Sequence, residues 1–339
     1  MDIFLSNQVL IFLFSETILY ILAFVAFAGT VQILRNWNFN ATTAKQYMLE
    51  KRAFLIVTII LFTLILKIVL LPYFAYTIDK LSVLIPGAMC AAGVISANAY
   101  GNPLLFLKIL ILFFTGIWLI INKYDQTAID YPYFKTKFHF YLFIFALLTA
   151  EYILDILYFA HISTSDIVQC CSAIFGISGN NPIPFNLTVP LLLVIFYLLY
   201  LLIILLSLQK NAALLFIVSL LFLYIGYESV VHFFGTYIYQ IPTHKCPFCM
   251  LQKEYYYVGY LLWGTLFAGV FFGIANFVLK LLISSAQGSR ADEPRLNSPD
   301  QIPIDDTRLY RLAILFNTIF VILCTAYVLT YYLRNGVWL

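Results

Sequence analysis

Charge is scarce in this chain. Only 10% of its 339 residues are Asp, Glu, Lys or Arg, against 63% hydrophobic and 18% aromatic, and the mean hydropathy is +0.93. A soluble domain carries about 25% charged residues. There is too little polar side chain here to cover a water-facing surface, which excludes a soluble globular enzyme. Nineteen Lys and Arg against sixteen Asp and Glu leave a net +3 with no basic stripe, which excludes a nucleic-acid binder. Histidine is rarer still, at four residues, and the six cysteines are too few for a disulfide scaffold. No G-x-x-x-x-G-K-[ST] motif is present, so transport driven by nucleotide hydrolysis in this chain is not expected. The N-terminus has neither a positive n-region nor a small-residue cleavage site, and reads as a retained first helix.

Long apolar runs are abundant. About 20 apolar residues span a bilayer as a helix, and eight segments qualify: roughly 8–34, 53–73, 104–122, 138–160, 189–208, 212–238, 255–283 and 309–333. None alternates as a barrel strand would. The expected fold is therefore all-α, a polytopic membrane bundle of about eight helices forming one integral membrane domain. Two connections, 74–103 and 161–188, are long, apolar and rich in small residues. They read as re-entrant or interfacial segments, because irregular backbone at membrane depth must be satisfied by protein or water. The stretch 284–307 alone has a soluble composition and reads as a cytoplasmic linker.

Positive charge sets the orientation. Arg35, Lys45, Lys51, Arg52, Lys123, Lys135, Lys137, Lys210, Lys280, Arg290, Arg295, Arg308 and Arg311 fall on one side, and Lys80, Lys245, Lys253 and Arg334 on the other. The richer side is expected to face the cytoplasm of a bacterial or archaeal cell, with both termini outside. Cys90, Cys170, Cys171, Cys246 and Cys249 then all face outward, and only Cys324 lies within a helix.

Cys246-Pro247-Phe248-Cys249 is a Cys-x-x-Cys motif just before the seventh span. At a helix start the first sulfur would be made acidic by the helix dipole, and the second could resolve a mixed disulfide. The same spacing suits soft metals. Vicinal Cys170 and Cys171 bond to each other only through a strained ring, so a bridge from Cys90 to one of them is the more plausible pairing. Inside the spans stand Glu16, Lys67, Lys108, Glu151, Asp155 and Glu228, with His232 beside them. Such residues either pair with one another or line a polar cavity for a quinone head group, a haem or a metal. His161 and His232 could form a haem pair, and His139 stands near the opposite face.

The run Cys246-Pro247-Phe248-Cys249-Met250-Leu251-Gln252-Lys253, followed by an aromatic-rich apolar helix, resembles the membrane thiol oxidase DsbB family. The vicinal cysteines and the apolar outer loop are loosely similar in layout to the vitamin K epoxide reductase family. The resemblance implies a thiol–disulfide oxidoreductase that passes electrons between outward cysteines and a quinone. A thioredoxin-like or other cysteine-containing partner would exchange with Cys90, Cys170 or Cys171, and quinone would reoxidise Cys246 and Cys249. Lys253 stands where the family has an arginine near the quinone, and Gln252 falls on the family's Gln or Glu. Lys253 is expected two helical turns from Cys246, with Glu228 and His232 handling the proton. A second expectation is a copper-handling protein, for transport or metalloenzyme assembly, binding Cu(I) through Cys246, Cys249, Cys90, His161, His232 and His244. A third is a structural subunit of a larger membrane complex.

Overall fold

The computed structural model describes residues 3–38, 43–127, 133–176, 182–183, 186–290 and 307–339. Eight helices are long and apolar enough to cross a membrane. They are α1 (Asn7–Asn36), α2 (Ala44–Leu81), α4 (Gly101–Thr127), α5 (Phe134–Ala160), α6 (Val189–Leu208), α7 (Ala212–Tyr239), α8 (Val258–Arg290) and α9 (Thr307–Asn335). A short helix, α3 (Ala91–Ile95), lies between α2 and α4. There are no strands among the described residues. The chain divides into two compact units, Met1–Lys80 with Ile95–Ser165 and Leu81–Val94 with Asp166–Leu339.

In the first unit α5 packs on α1 and α4. Its core is aromatic and branched, with Trp118, Tyr141, Phe138, Ile60 and Leu64 all fully buried. The buried Tyr141 hydroxyl donates to the carbonyl of Ala23 at 2.9 Å, and the Trp118 indole donates to that of Lys137 at 2.9 Å. At one end of α5, Lys137 meets Asp125 at 2.6 Å, and Asp125 also accepts from the Tyr133 amide.

In the second unit α6, α7, α8 and α9 close a ring, each packing on the next and α9 returning to α6. Gly269 and Gly273, one turn apart on α8, make this possible. A Cβ at Gly269 would lie 2.5 Å from Asn317 Oδ1, and one at Gly273 would lie 2.1 Å from Ser219 Oγ. Small residues at this spacing let membrane helices approach backbone to side chain. Toward its end α7 carries a π-turn, Val230–Phe234.

Three expectations change. The second span does not stop at 73: α2 runs through Pro72 to Leu81. An internal proline forfeits one hydrogen bond, which membrane helices tolerate, and beyond it Phe74, Thr77, Ile78 and Leu81 are buried. The first long connection therefore shrinks to residues 82–100, folded as turns and α3 with Cys90, Ala91, Ala92 and Val94 buried. The expected linker over 284–307 begins as helix, since α8 continues to Arg290, and its residues 291–306 lie outside the described ones. The second connection, 161–188, holds a π-turn at Ser172–Gly176, and its residues 177–181 and 184–185 also lie outside.

Candidate metal centre

Four cysteines of the second unit meet in one buried cluster. Cys90 Sγ lies 3.5 Å from Cys246 Sγ, and Cys171 Sγ lies 3.8 Å from Cys249 Sγ. All four sulfurs fall within 4.8 Å of one another. None of the four residues is more than 4% exposed.

Three segments deliver them. After α2, turns close by Leu84 N–H to the Leu81 carbonyl and Ala88 N–H to the Ile85 carbonyl, and set Cys90 just ahead of α3. Gly87 makes this path possible: it adopts φ +85°, and a Cβ there would lie 2.3 Å from the Val168 carbonyl oxygen. That close approach accompanies the 2.9 Å bond from Val168 N–H to the Pro86 carbonyl, which ties in the segment carrying Cys171.

The third segment follows α7, whose last turn ends at Gln240 in the left-handed region. The buried Tyr239 hydroxyl then clamps the Cys-x-x-Cys loop. It donates to the Cys246 carbonyl and accepts from the Met250 amide at 3.0 Å. The Trp263 indole donates to the Pro247 carbonyl at 3.1 Å, and the Gln252 amide donates to the Met89 carbonyl at 3.2 Å.

A metal–sulfur bond of about 2.3 Å puts the ligands of a regular tetrahedron about 3.8 Å apart, whereas a disulfide holds its sulfurs about 2.05 Å apart. The 3.5 and 3.8 Å approaches lie near the tetrahedral value and far from a disulfide's, and the remaining pairs fall within 4.8 Å. Four protein ligands also fill every position, the pattern of a closed site. Charge selects the ion further. Four thiolates around Cu(I) leave a net −3 and around a divalent ion −2, and a buried pocket penalises the larger charge more.

The Cys-x-x-Cys does not open a helix, as the sequence suggested. A 3-10 turn, Cys249–Leu251, follows it; Gln252 is extended at ψ 160°; a second 3-10 turn, Lys253–Tyr255, follows; and α8 starts only at Val258, after Tyr256 and Tyr257 at φ 53° and 56°. With no helix dipole to help, burial pushes the Cys246 thiol up instead of down. Hydrogen bonding to Cys171 pushes Cys249 up as well. Cys171 is held well below the usual thiol range by hydrogen bonds from Cys246, Cys249 and Cys90.

Other candidates fall elsewhere. Cys170 is half-buried and outside the group of four, whereas Cys90 and Cys171 both belong to it, with Cys90 Sγ 3.5 Å from Cys246 Sγ. Lys253 is exposed and opens the second 3-10 turn after one such turn and the extended Gln252, so it does not stand two turns of one helix from Cys246. His232, on the π-turn, lies 3.3 Å from Glu228 and outside the group of four. The His244 ring meets Tyr239 edge-on at 4.4 Å. His161 belongs to the first unit, where its Nδ1 lies 2.8 Å from the Leu157 carbonyl, and His232 belongs to the second. Tyr239 and Trp263 were not foreseen, because a clamp on backbone atoms leaves no spacing signature.

The charged residues of the first unit form a second group. Lys67 lies 2.7 Å from both Glu16 and Glu151. Lys108 lies 3.3 Å from Glu16, 2.7 Å from Glu151 and 2.9 Å from Asp155. The Phe12 and Phe74 rings flank Lys108 at 5.0 and 4.8 Å. Mutual pairing is the arrangement found here, and both lysines take part.

No family model, no curated protein and no solved structure matches this chain.

Proposed function

We propose that the protein is an integral membrane metalloprotein in which Cys90, Cys171, Cys246 and Cys249 hold one divalent ion of the zinc or iron class. The observation that carries this reading is the mutual approach of four buried sulfurs within 4.8 Å. A closed tetrathiolate site has no open position for substrate. The ion's work is then to lock three loop segments together and, as iron, to pass single electrons without changing ligands. The excess of Lys and Arg on one side supports a cytoplasmic membrane location with the thiol side and both termini outward.

The test is metal analysis of detergent-purified protein together with thiol counting. The expected result is about one zinc or iron per chain, with the four thiols blocked toward maleimide until a chelator or denaturant is added. Metal-free protein with fully reactive thiols, or with two disulfides, overturns it.

A second reading, a quinone-linked thiol–disulfide oxidoreductase, is favoured by the 3.5 and 3.8 Å approaches, each of which could close into a bond. It also accords with the resemblance of residues 246–253 to DsbB-type oxidases. Burial of all four sulfurs weighs against it, because a thioredoxin-like partner must reach a thiol; half-buried Cys170 is the one such entry point. Bound quinone and disulfides at Cys90–Cys246 and Cys171–Cys249 would establish this reading over the first. The Cu(I) reading ranks behind both on charge, and lacks its histidine ligands in the group of four.

A further inference from the structure

We propose that the charge network of the first unit is a membrane-embedded binding site for one exchangeable proton, carried on Asp155. The network holds three carboxylates, Glu16 from α1 and Glu151 and Asp155 from α5, and two ammonium groups, Lys67 from α2 and Lys108 from α4. Fully ionised, it carries one negative charge too many. An uncompensated charge away from water is removed by binding a proton or a cation.

A metal cation has no place here. The Lys108 ammonium already lies within 3.3 Å of all three carboxylates, the position an ion would need, and Lys67 adds a second positive charge. A proton is the remaining neutralising ligand. The carboxyl that takes it is the one with an unused oxygen. Glu16 and Glu151 have both oxygens within 3.3 Å of a lysine. Asp155 uses only Oδ2, while its Oδ1 is buried with no hydrogen-bond partner. Besides these five groups, Tyr158 is the titratable neighbour one turn along α5. The turn Ile3–Leu5, also packed on α5, brings none.

A small cavity borders the network. Glu16, Lys67, Lys108 and Glu151 line a cavity with Thr115. The Thr115 hydroxyl is fully buried and has no hydrogen-bond partner. The cavity has room for about one water, and such a site stays wet when polar groups line it. A proton bound at Asp155 Oδ1 takes the network from −1 to neutral; release reverses the step, and no electrons move.

Infrared spectroscopy of the full-length protein in nanodiscs reads this directly, through the carbonyl stretch of a protonated carboxyl. The expected result at neutral pH is a band worth about one carboxyl per chain that shifts in heavy water and is lost in Asp155→Asn but kept in Glu228→Gln. Should Asp155→Asn fail to accumulate, isotopic labelling of aspartate carboxyls in the wild-type protein assigns the band instead. A wild-type spectrum with no such band, or a band that survives Asp155→Asn or does not move with aspartate labelling, overturns the proposal.

Discussion

Replacing Tyr239 with phenylalanine removes one oxygen and keeps the ring. That oxygen accepts from the Met250 amide at 3.0 Å and donates to the Cys246 carbonyl. Met250 is 0% and Cys246 1% exposed, so water cannot stand in for the lost partner. A buried polar group left unsatisfied costs about 1–3 kcal/mol, and two of them amount to about 2–6 kcal/mol. The packing of the ring against His244 at 4.4 Å and Tyr255 at 4.7 Å remains. The loss therefore falls on the loop bearing Cys246 and Cys249. Removing a group that supports metal ligands lowers affinity by about 10–100-fold. Chelator competition on purified protein measures this, and thermal unfolding of the same sample reports the stability loss. Tyr256→Phe, at a side chain 91% exposed, serves as control. A Tyr239→Phe protein that holds its ion and melts like the wild type refutes the clamp.

Metal affinity is expected to rise with pH. Cys246 and Cys249 are pushed up, so both are protonated in the ion-free protein at neutral pH, and binding must release their protons. Release of at least these two protons gives a gain of about a hundredfold or more per pH unit, readable by competition titration, and acidification strips the ion. Lys108→Met strands three buried carboxylates on one lysine and is expected to cost about 3–5 kcal/mol in an unfolding assay, partly recovered by adding Glu151→Gln. Gly87→Ala forces a side chain into the left-handed region, at about 1–2 kcal/mol, and against the Val168 carbonyl, so metal content should fall. Lys253→Met, at an exposed side chain, should leave metal content and melting unchanged; a large loss of either contradicts its placement here.

The eight helices were legible because a bilayer demands long apolar runs and little else: α6 spans Val189–Leu208, the limits its hydropathy suggests. The far end of α2 was not legible, because its last turns beyond Pro72 carry Asp79 and Lys80 and are helical through burial of Phe74, Ile78 and Leu81. The convergence of outer cysteines was legible as a grouping. Which of Cys170 and Cys171 joins it was not, because vicinal side chains differ in direction and only the packed backbone sets direction. The loop geometry after Cys249 was equally hidden, as two consecutive tyrosines in the left-handed region oppose their own preference. Among the buried charges, sequence gave the residue types, but not that Lys108 would contact all three carboxylates, since three helices must be placed before that contact exists.

The segment Leu81–Val94 is flanked in sequence by the first unit and yet belongs to the second. Cys90 and Cys246, 3.5 Å apart in space, are 156 residues apart in the chain. At about 5–20 residues per second of synthesis, Cys90 leaves the ribosome roughly 8–30 s before Cys246 exists. Under the tetrathiolate proposal, any bond it forms in that interval removes a ligand from the site. That proposal requires biogenesis to keep an early thiol idle until the seventh membrane helix is being made, and leaves a chain cut between the units with a cysteine parted from its fellow ligands.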